Sequence, residues 1–151
     1  MTLNKIFFHD LNAKSNLSYK QALKKFLAAI FIEEYKKVNR VDIIFCSDEY
    51  LLILNQQFLK HNYYTDTLSF ILSEKNAPIT GEIYVSISRI KSNAKQLKIP
   101  YQIELRRVII HGCLHLCGYL DSPKNLKNKM QAIQEKYLDR WIVSRETQIG
   151  G

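Results

Sequence analysis

The sequence has little that breaks a chain: five glycines and three prolines in 151 residues. No internal repeat, low-complexity stretch or linker divides it. One domain, residues 1–147 with a short tail at 148–151, is therefore expected at this length. Cysteine is equally scarce. Cys46, Cys113 and Cys117 are odd in number and none lies in a CxxC pair. That speaks against a disulfide scaffold and a thiolate zinc site, and it fits a reducing cytoplasm. No apolar run reaches the length of a membrane-crossing helix, and MTLNKIFFHD lacks the pattern of a secretory signal. Acidic residues are few. Fourteen Asp and Glu stand against 22 Lys and Arg, a formal net charge of +8. A basic excess favours a polyanionic partner, although these lysines are dispersed as on solvated helix faces.

What is present reads as mixed helix and strand. KIFFH, residues 5–9, suits a strand. Residues 18–37 carry Ala22, Phe26, Leu27, Ile30, Phe31 and Tyr35 at helical spacing, with Ser18 as N-cap. Residues 41–46 read as a strand, and Ser47-Asp48 opens a helix to about His61. Residues 67–72 and 81–88 read as strands able to form a hairpin across the turn 74–80. Residues 88–97 read as a helix ending before Pro100, and 102–117 as a longer one stopped by Gly118. Ser122-Pro123 suits the opening of a last helix, to about Ser144. The expected fold is α+β: one domain with a small mixed β-sheet packed with helices.

The chemistry concentrates in RRVIIHGCLHLCGYLDSP, residues 106–123. Two of the four histidines, His111 and His115, stand four apart. Four helical residues turn about 400°, so both imidazoles leave one face, one turn apart. Two such nitrogens can grip one divalent cation. Gly118 can reverse the chain and bring Asp121 round as a third ligand, leaving a coordination position open, as in catalytic zinc sites. An HxxxH pair alone is weak evidence, and Asp121 can equally be a capping residue. Cys113 and Cys117 read as small core residues, although Cys117 is near enough in sequence to approach a metal.

HGCLHLCGYLD resembles the signature HGxLHLxGYDH of the YbeY family of metal-dependent endoribonucleases. The match covers His111, Gly112, Leu114, His115, Leu116, Gly118 and Tyr119. LNQQFLKHNYYTDTLSF, residues 54–70, resembles the family's LNxxYRxxDxPTDVLSF at Leu54, Asn55, Thr65, Asp66, Leu68, Ser69 and Phe70. Gly81-Glu82-Ile83 is similar to its Gly-Asp-Ile turn, and Glu104 and residues 130–135 also fit. The resemblance implies a single α/β-type domain and a zinc-like ion. It also implies single-strand-specific cleavage of RNA in the bacterial cytoplasm. That work serves maturation of the small-subunit ribosomal RNA 3′ end and ribosome quality control. RNA and the small ribosomal subunit are then the expected partners, with no membrane and no DNA.

Two positions depart from the family pattern. Its third metal histidine falls at Asp121, which can still ligate zinc but admits harder ions such as manganese. Its arginine falls at Leu59. Lys60 is the adjacent cation that can contact RNA, without the forked geometry of arginine. Asp66 is the candidate for proton transfer or for support of the ligands, although an Asp before a strand is also a common turn residue. Tyr63, Tyr64 and Tyr119 can stack on unpaired bases or pack as rim residues. Gly112 stands where HExxH zinc proteases carry their general base, which argues against a peptidase. A ribosome-associated assembly factor with a structural or vestigial metal is the alternative.

Overall fold

In a computed structural model, which describes residues 2–150, four strands and five helices follow a short 3-10 turn at Thr2–Lys5. The strands are β1 (Ile6–Asp10), β2 (Val38–Cys46), β3 (Thr67–Ile71) and β4 (Ile79–Ser86). The helices are α1 (Lys20–Glu33), α2 (Asp48–Leu59), α3 (Ile87–Leu97), α4 (Tyr101–Leu116) and α5 (Lys124–Gly150). The sheet order is β1-β2-β4-β3. β1 and β4 both run parallel to β2, and β3 pairs antiparallel to β4 with Ser69 opposite Ile83. The mixed sheet and the β3–β4 hairpin agree with the sequence reading.

The strands alternate because one face needs a continuous apolar cover. Val41, Ile43 and Phe45 of β2, with Ile83 and Val85 of β4, join Leu23, Leu27 and Phe31 of α1 and Leu105 and Ile109 of α4 in the main core. Met130, Leu138 and Trp141 of α5 close it from outside. A smaller cluster, Cys46, Leu51, Leu54 and Leu68, seats α2 near β3.

Several boundaries differ from the sequence reading, each for a local reason. Ser18 is not the N-cap of α1. Tyr19 takes that place in the left-handed region, φ 52°, with no side-chain cap. Ser18 instead serves the buried Arg106, whose guanidinium donates to the Ser18 carbonyl at 2.6 Å and to its hydroxyl at 3.1 Å. Helix α1 ends at Glu33, short of Lys37. Tyr35 adopts φ 59°, its N–H donates to the Ile32 carbonyl, and that of Lys36 donates to the Phe31 carbonyl. This is the paired closure usually built on glycine. It leaves Tyr35, assigned by spacing to the apolar face, 95% exposed.

Helix α2 stops at Leu59, because Lys60 is left-handed at φ 56°, so His61 lies beyond it. β4 ends at Ser86, whose hydroxyl caps α3 by accepting from the Arg89 N–H at 3.3 Å. At α5 the Pro123 carbonyl accepts from the Leu126 and Lys127 N–H groups. Helix α5 therefore begins after Pro123 rather than with it, and it runs beyond Ser144 into the expected tail. Gly151 lies outside the described residues.

Candidate metal centre

Helix α4 carries both imidazoles, and its seat on the sheet depends on Gly112. A Cβ at Gly112 would lie 2.5 Å from Ile83 Cγ2, so only a bare α-carbon lets the helix approach β4 this closely. His111 and His115 leave the flank of α4 beside this contact, both within about 100° of Gly112 round the helix. A glutamate at 112, where HExxH proteases carry their general base, would run into Ile83. Gly118 then adopts φ 105°, a conformation that L side chains avoid, and the chain folds back.

That reversal brings Asp121 to the histidines. His115 Nε2 lies 3.0 Å from His111 Nε2 and 2.9 Å from Asp121 Oδ2. His111 Nε2 lies 3.7 Å from Asp121 Oδ1. One ligand atom from each of the three residues falls within 4.8 Å of the others. The two imidazole side chains are 23% and 24% exposed and the Asp121 side chain 55%, so the group faces solvent.

The outer nitrogens decide what the inner ones can do. His115 Nδ1 lies 3.0 Å from the Tyr119 carbonyl. A carbonyl only accepts, so Nδ1 carries the proton and Nε2 keeps its lone pair. His111 Nδ1 donates to Gln134 Oε1 at 2.7 Å, which likewise leaves its Nε2 bare. In that tautomer two imidazole lone pairs and a carboxylate converge, an arrangement a divalent cation can bridge. The donor set, two nitrogens and an oxygen with an exposed side, fits a metal ion.

Cys117 takes no part. Burial, then the charge of Glu34, pushes its thiol up to about 12. Burial also raises Cys113 well above its ordinary value. Both thiols pack in the core.

A cleft of about 380 Å³ opens over the histidines, lined also by Leu59, Asp66, Ser69, Ile71, Tyr119 and Leu120. Asp66 is thus brought to the same cleft. Its carboxylate accepts from Asn93 Nδ2 at 3.3 Å, and its carbonyl accepts from the Ser86 N–H at 2.9 Å. Ser69 Oγ donates to the Gly112 carbonyl at 3.4 Å. The loop before Asp66 is tied down by buried Asn55, whose Nδ2 donates to the Tyr63 carbonyl at 2.9 Å.

Leu59, at the family's arginine position, lines the cleft, whereas its neighbour Lys60 is exposed and is not among the lining residues. Tyr63 stacks on His61 at 5.1 Å between ring centroids, and Tyr64 lies under the Arg89 guanidinium at 5.3 Å. Neither lines the cleft, whereas Tyr119 does.

Sequence reasoning left several residues of this neighbourhood without a role. Gln134, Glu135 and Glu104 fall in stretches that fit the family pattern, but no spacing rule says that a helix begun at Lys124 delivers Gln134 to His111. Arg107 donates through Nε to Glu135 at 3.0 Å and through Nη1 to Glu104. Burial raises the Glu104 carboxyl, while Arg107 and Asn93 pull it down. Glu34 had no sequence signal at all.

A small mixed sheet, backed by a helix that bears two histidines to which Asp121 folds back, defines an α+β protein with a group at a surface cleft that could hold a metal ion. The family model described as Endoribonuclease YbeY matches residues 7–142, and the chain belongs to that family. It is 42% identical over 123 residues to an endoribonuclease YbeY of Porphyromonas gingivalis, covering 82% of this chain and 79% of that one. It is 39% identical over 133 residues to its counterpart in Cytophaga hutchinsonii, covering 88% and 93%. The solution structure of TM1509 from Thermotoga maritima superposes with a TM-score of 0.62 at 31% identity, covering 92% of this chain and 93% of that one. Among the described residues no helix is long and apolar enough to cross a membrane.

Proposed function

We propose that this protein is a metal-dependent endoribonuclease of the cytoplasm, acting on unpaired stretches of ribosomal RNA in maturation of the small-subunit 3′ end and in ribosome quality control. The observation that carries the reading is the convergence of His111 Nε2, His115 Nε2 and an Asp121 carboxylate oxygen at the floor of one cleft, in a chain of the endoribonuclease YbeY family.

In this reading His111, His115 and Asp121 hold one ion, zinc in the first instance, with manganese admitted by the aspartate oxygen. When bound, the ion supplies Lewis acidity toward a phosphoryl oxygen or a water. The chain does the rest. The Nδ1 contacts with Gln134 and the Tyr119 carbonyl hold the imidazoles aimed, with each Nε2 toward the ion. Asp66 lies on the cleft wall, where its carboxylate can take a proton from the attacking group, a water or the RNA's own hydroxyl. Leu59, Ile71 and Leu120, all exposed at the cleft, offer apolar surface to a base that no longer stacks in a duplex, which suits single strands. Lys60 and the net charge of +8 attract the phosphate backbone.

The test is digestion of small-subunit ribosomal RNA by wild type and His115→Ala, with binding to ribosomal particles measured in parallel. Cleavage by wild type, lost with a chelator and in the variant, supports the nuclease. The leucine at the family's arginine position favours one other reading, an assembly factor that binds particles without cutting. Equal binding by both proteins with no cleavage by either would establish that reading instead.

A further inference from the structure

The proton on His111 is only as well placed as the amide that receives it. A glutamine side chain has two ends. If Gln134 offered its NH₂ group, His111 Nδ1 would have to accept, the ring proton would sit on Nε2, and that atom would point a hydrogen at Asp121 and His115. Such an imidazole cannot ligate a cation through Nε2.

The orientation is set one residue on. Gln134 Nε2 donates to Glu135 Oε2 at 3.0 Å, and a carboxylate can only accept. The carboxylate is itself held, since Arg107 donates to it through Nε at 3.0 Å and Nη2 at 3.2 Å. Arg107 also donates to Glu104, which is 4% exposed, so the guanidinium is anchored at both ends. Gln134 is 7% exposed, so water has little access to satisfy a flipped amide.

We propose that Gln134 and Glu135 are positioning residues that fix the His111 proton on Nδ1: Glu135, gripped by Arg107, orients the Gln134 amide so that its oxygen faces the imidazole. The proposal rests on the reading of His111, His115 and Asp121 as a metal site. The two can nevertheless fail separately, because the tautomer is measured in metal-free protein.

The experiment compares wild type, Glu135→Ala and the double variant Gln134→Glu/Glu135→Ala. The His111 tautomer is read from ring nitrogen shifts by NMR, and Zn²⁺ affinity is read by competition titration. Wild type should show His111 protonated at Nδ1 alone. Glu135→Ala should show a mixture of tautomers and bind Zn²⁺ about tenfold more weakly, the lower end of what loss of a ligand's supporting partner costs. The double variant should return to the single tautomer and regain affinity, since a carboxylate at 134 has no wrong end.

A single Nδ1 tautomer in Glu135→Ala overturns the proposal. So does a fall in affinity with the tautomer unchanged, which would mark a simple charge effect. Glu135→Gln, which keeps the volume and removes the carboxylate, is read the same way should the alanine variant not fold. If wild type itself binds no Zn²⁺, the metal reading fails, and the tautomer comparison still decides the orientation.

Discussion

Tyr119 donates its phenolic proton to Glu34 at 2.6 Å, and the carbonyl of the same tyrosine accepts the Nδ1–H of His115 at 3.0 Å. The end of α1 therefore holds the loop that holds the His115 imidazole. Glu34 also accepts from Tyr137 of α5 at 2.5 Å, so one carboxylate ties three parts of the chain. Glu34→Ala should lower stability by about 2 kcal/mol, the scale of hydrogen bonds to a charged group, and should weaken metal binding. Urea unfolding and a metal titration read the two effects. An unchanged midpoint would show that the loop is held by other contacts.

Asp121 is the third candidate ligand beside His111 and His115. Asp121→Ala should lower the metal content per chain, measured by elemental analysis, with the circular dichroism spectrum retained. Asp121→His should raise zinc affinity by supplying the ligand usual in the family. Unchanged stoichiometry in the first variant would remove Asp121 from the site.

Leu59 stands on the cleft wall where the family carries arginine. Leu59→Arg should tighten single-stranded RNA binding and steepen its salt dependence by about 0.7 in the log–log slope, the share of one added phosphate contact. A tighter complex with an unchanged slope would mean that the new side chain packs rather than pairs with phosphate.

Gly112 is a packing requirement of α4 against β4. Gly112→Ala should cost about 1–3 kcal/mol, as overpacking does. Combined with Ile83→Ala the two changes should cost less than their sum, because they share one contact. Strict additivity in thermal unfolding would show that the helix simply shifts.

Tyr101 predicts an alkaline limit. Its hydroxyl donates to the Ser15 carbonyl at 2.7 Å. Burial first, and then the charge of Asp10, pushes its ionisation up to about 12. The folded state thus keeps a proton that the unfolded chain gives up near pH 10. The associated stability is whole below that pH and is lost as pH rises toward 12. Tyr101→Phe should be less stable near neutrality but show a shallower decline between pH 10 and 12. Parallel declines in urea titrations would exclude this tyrosine as a source of the alkaline loss.

Much of this protein was legible along the chain. The alternation of Val41, Ile43 and Phe45 marks a half-covered strand. The four-residue step from His111 to His115 places two imidazoles on one helical face whatever surrounds them. The glycine at 118 announces the reversal. These signals are local, and local geometry follows from backbone sterics and hydrophobic period. Ser18 has the sequence of an N-cap, but a buried guanidinium 88 residues away takes its oxygens instead. Tyr35 falls in the apolar stripe by spacing, but closure of the helix turns it out to solvent.

The sequence by itself determined the candidate ligand types, the spacing of His111 and His115 on α4 and the departures at Asp121 and Leu59. The tertiary structure alone decided that Gln134 meets His111, that Glu34 reaches Tyr119, and that Gly112 is the point where helix and sheet touch. The division has a physical cause. Spacing within one helix is fixed by its own hydrogen bonds, whereas a contact between distant segments exists only after the common core has packed and set each helix at its depth and angle.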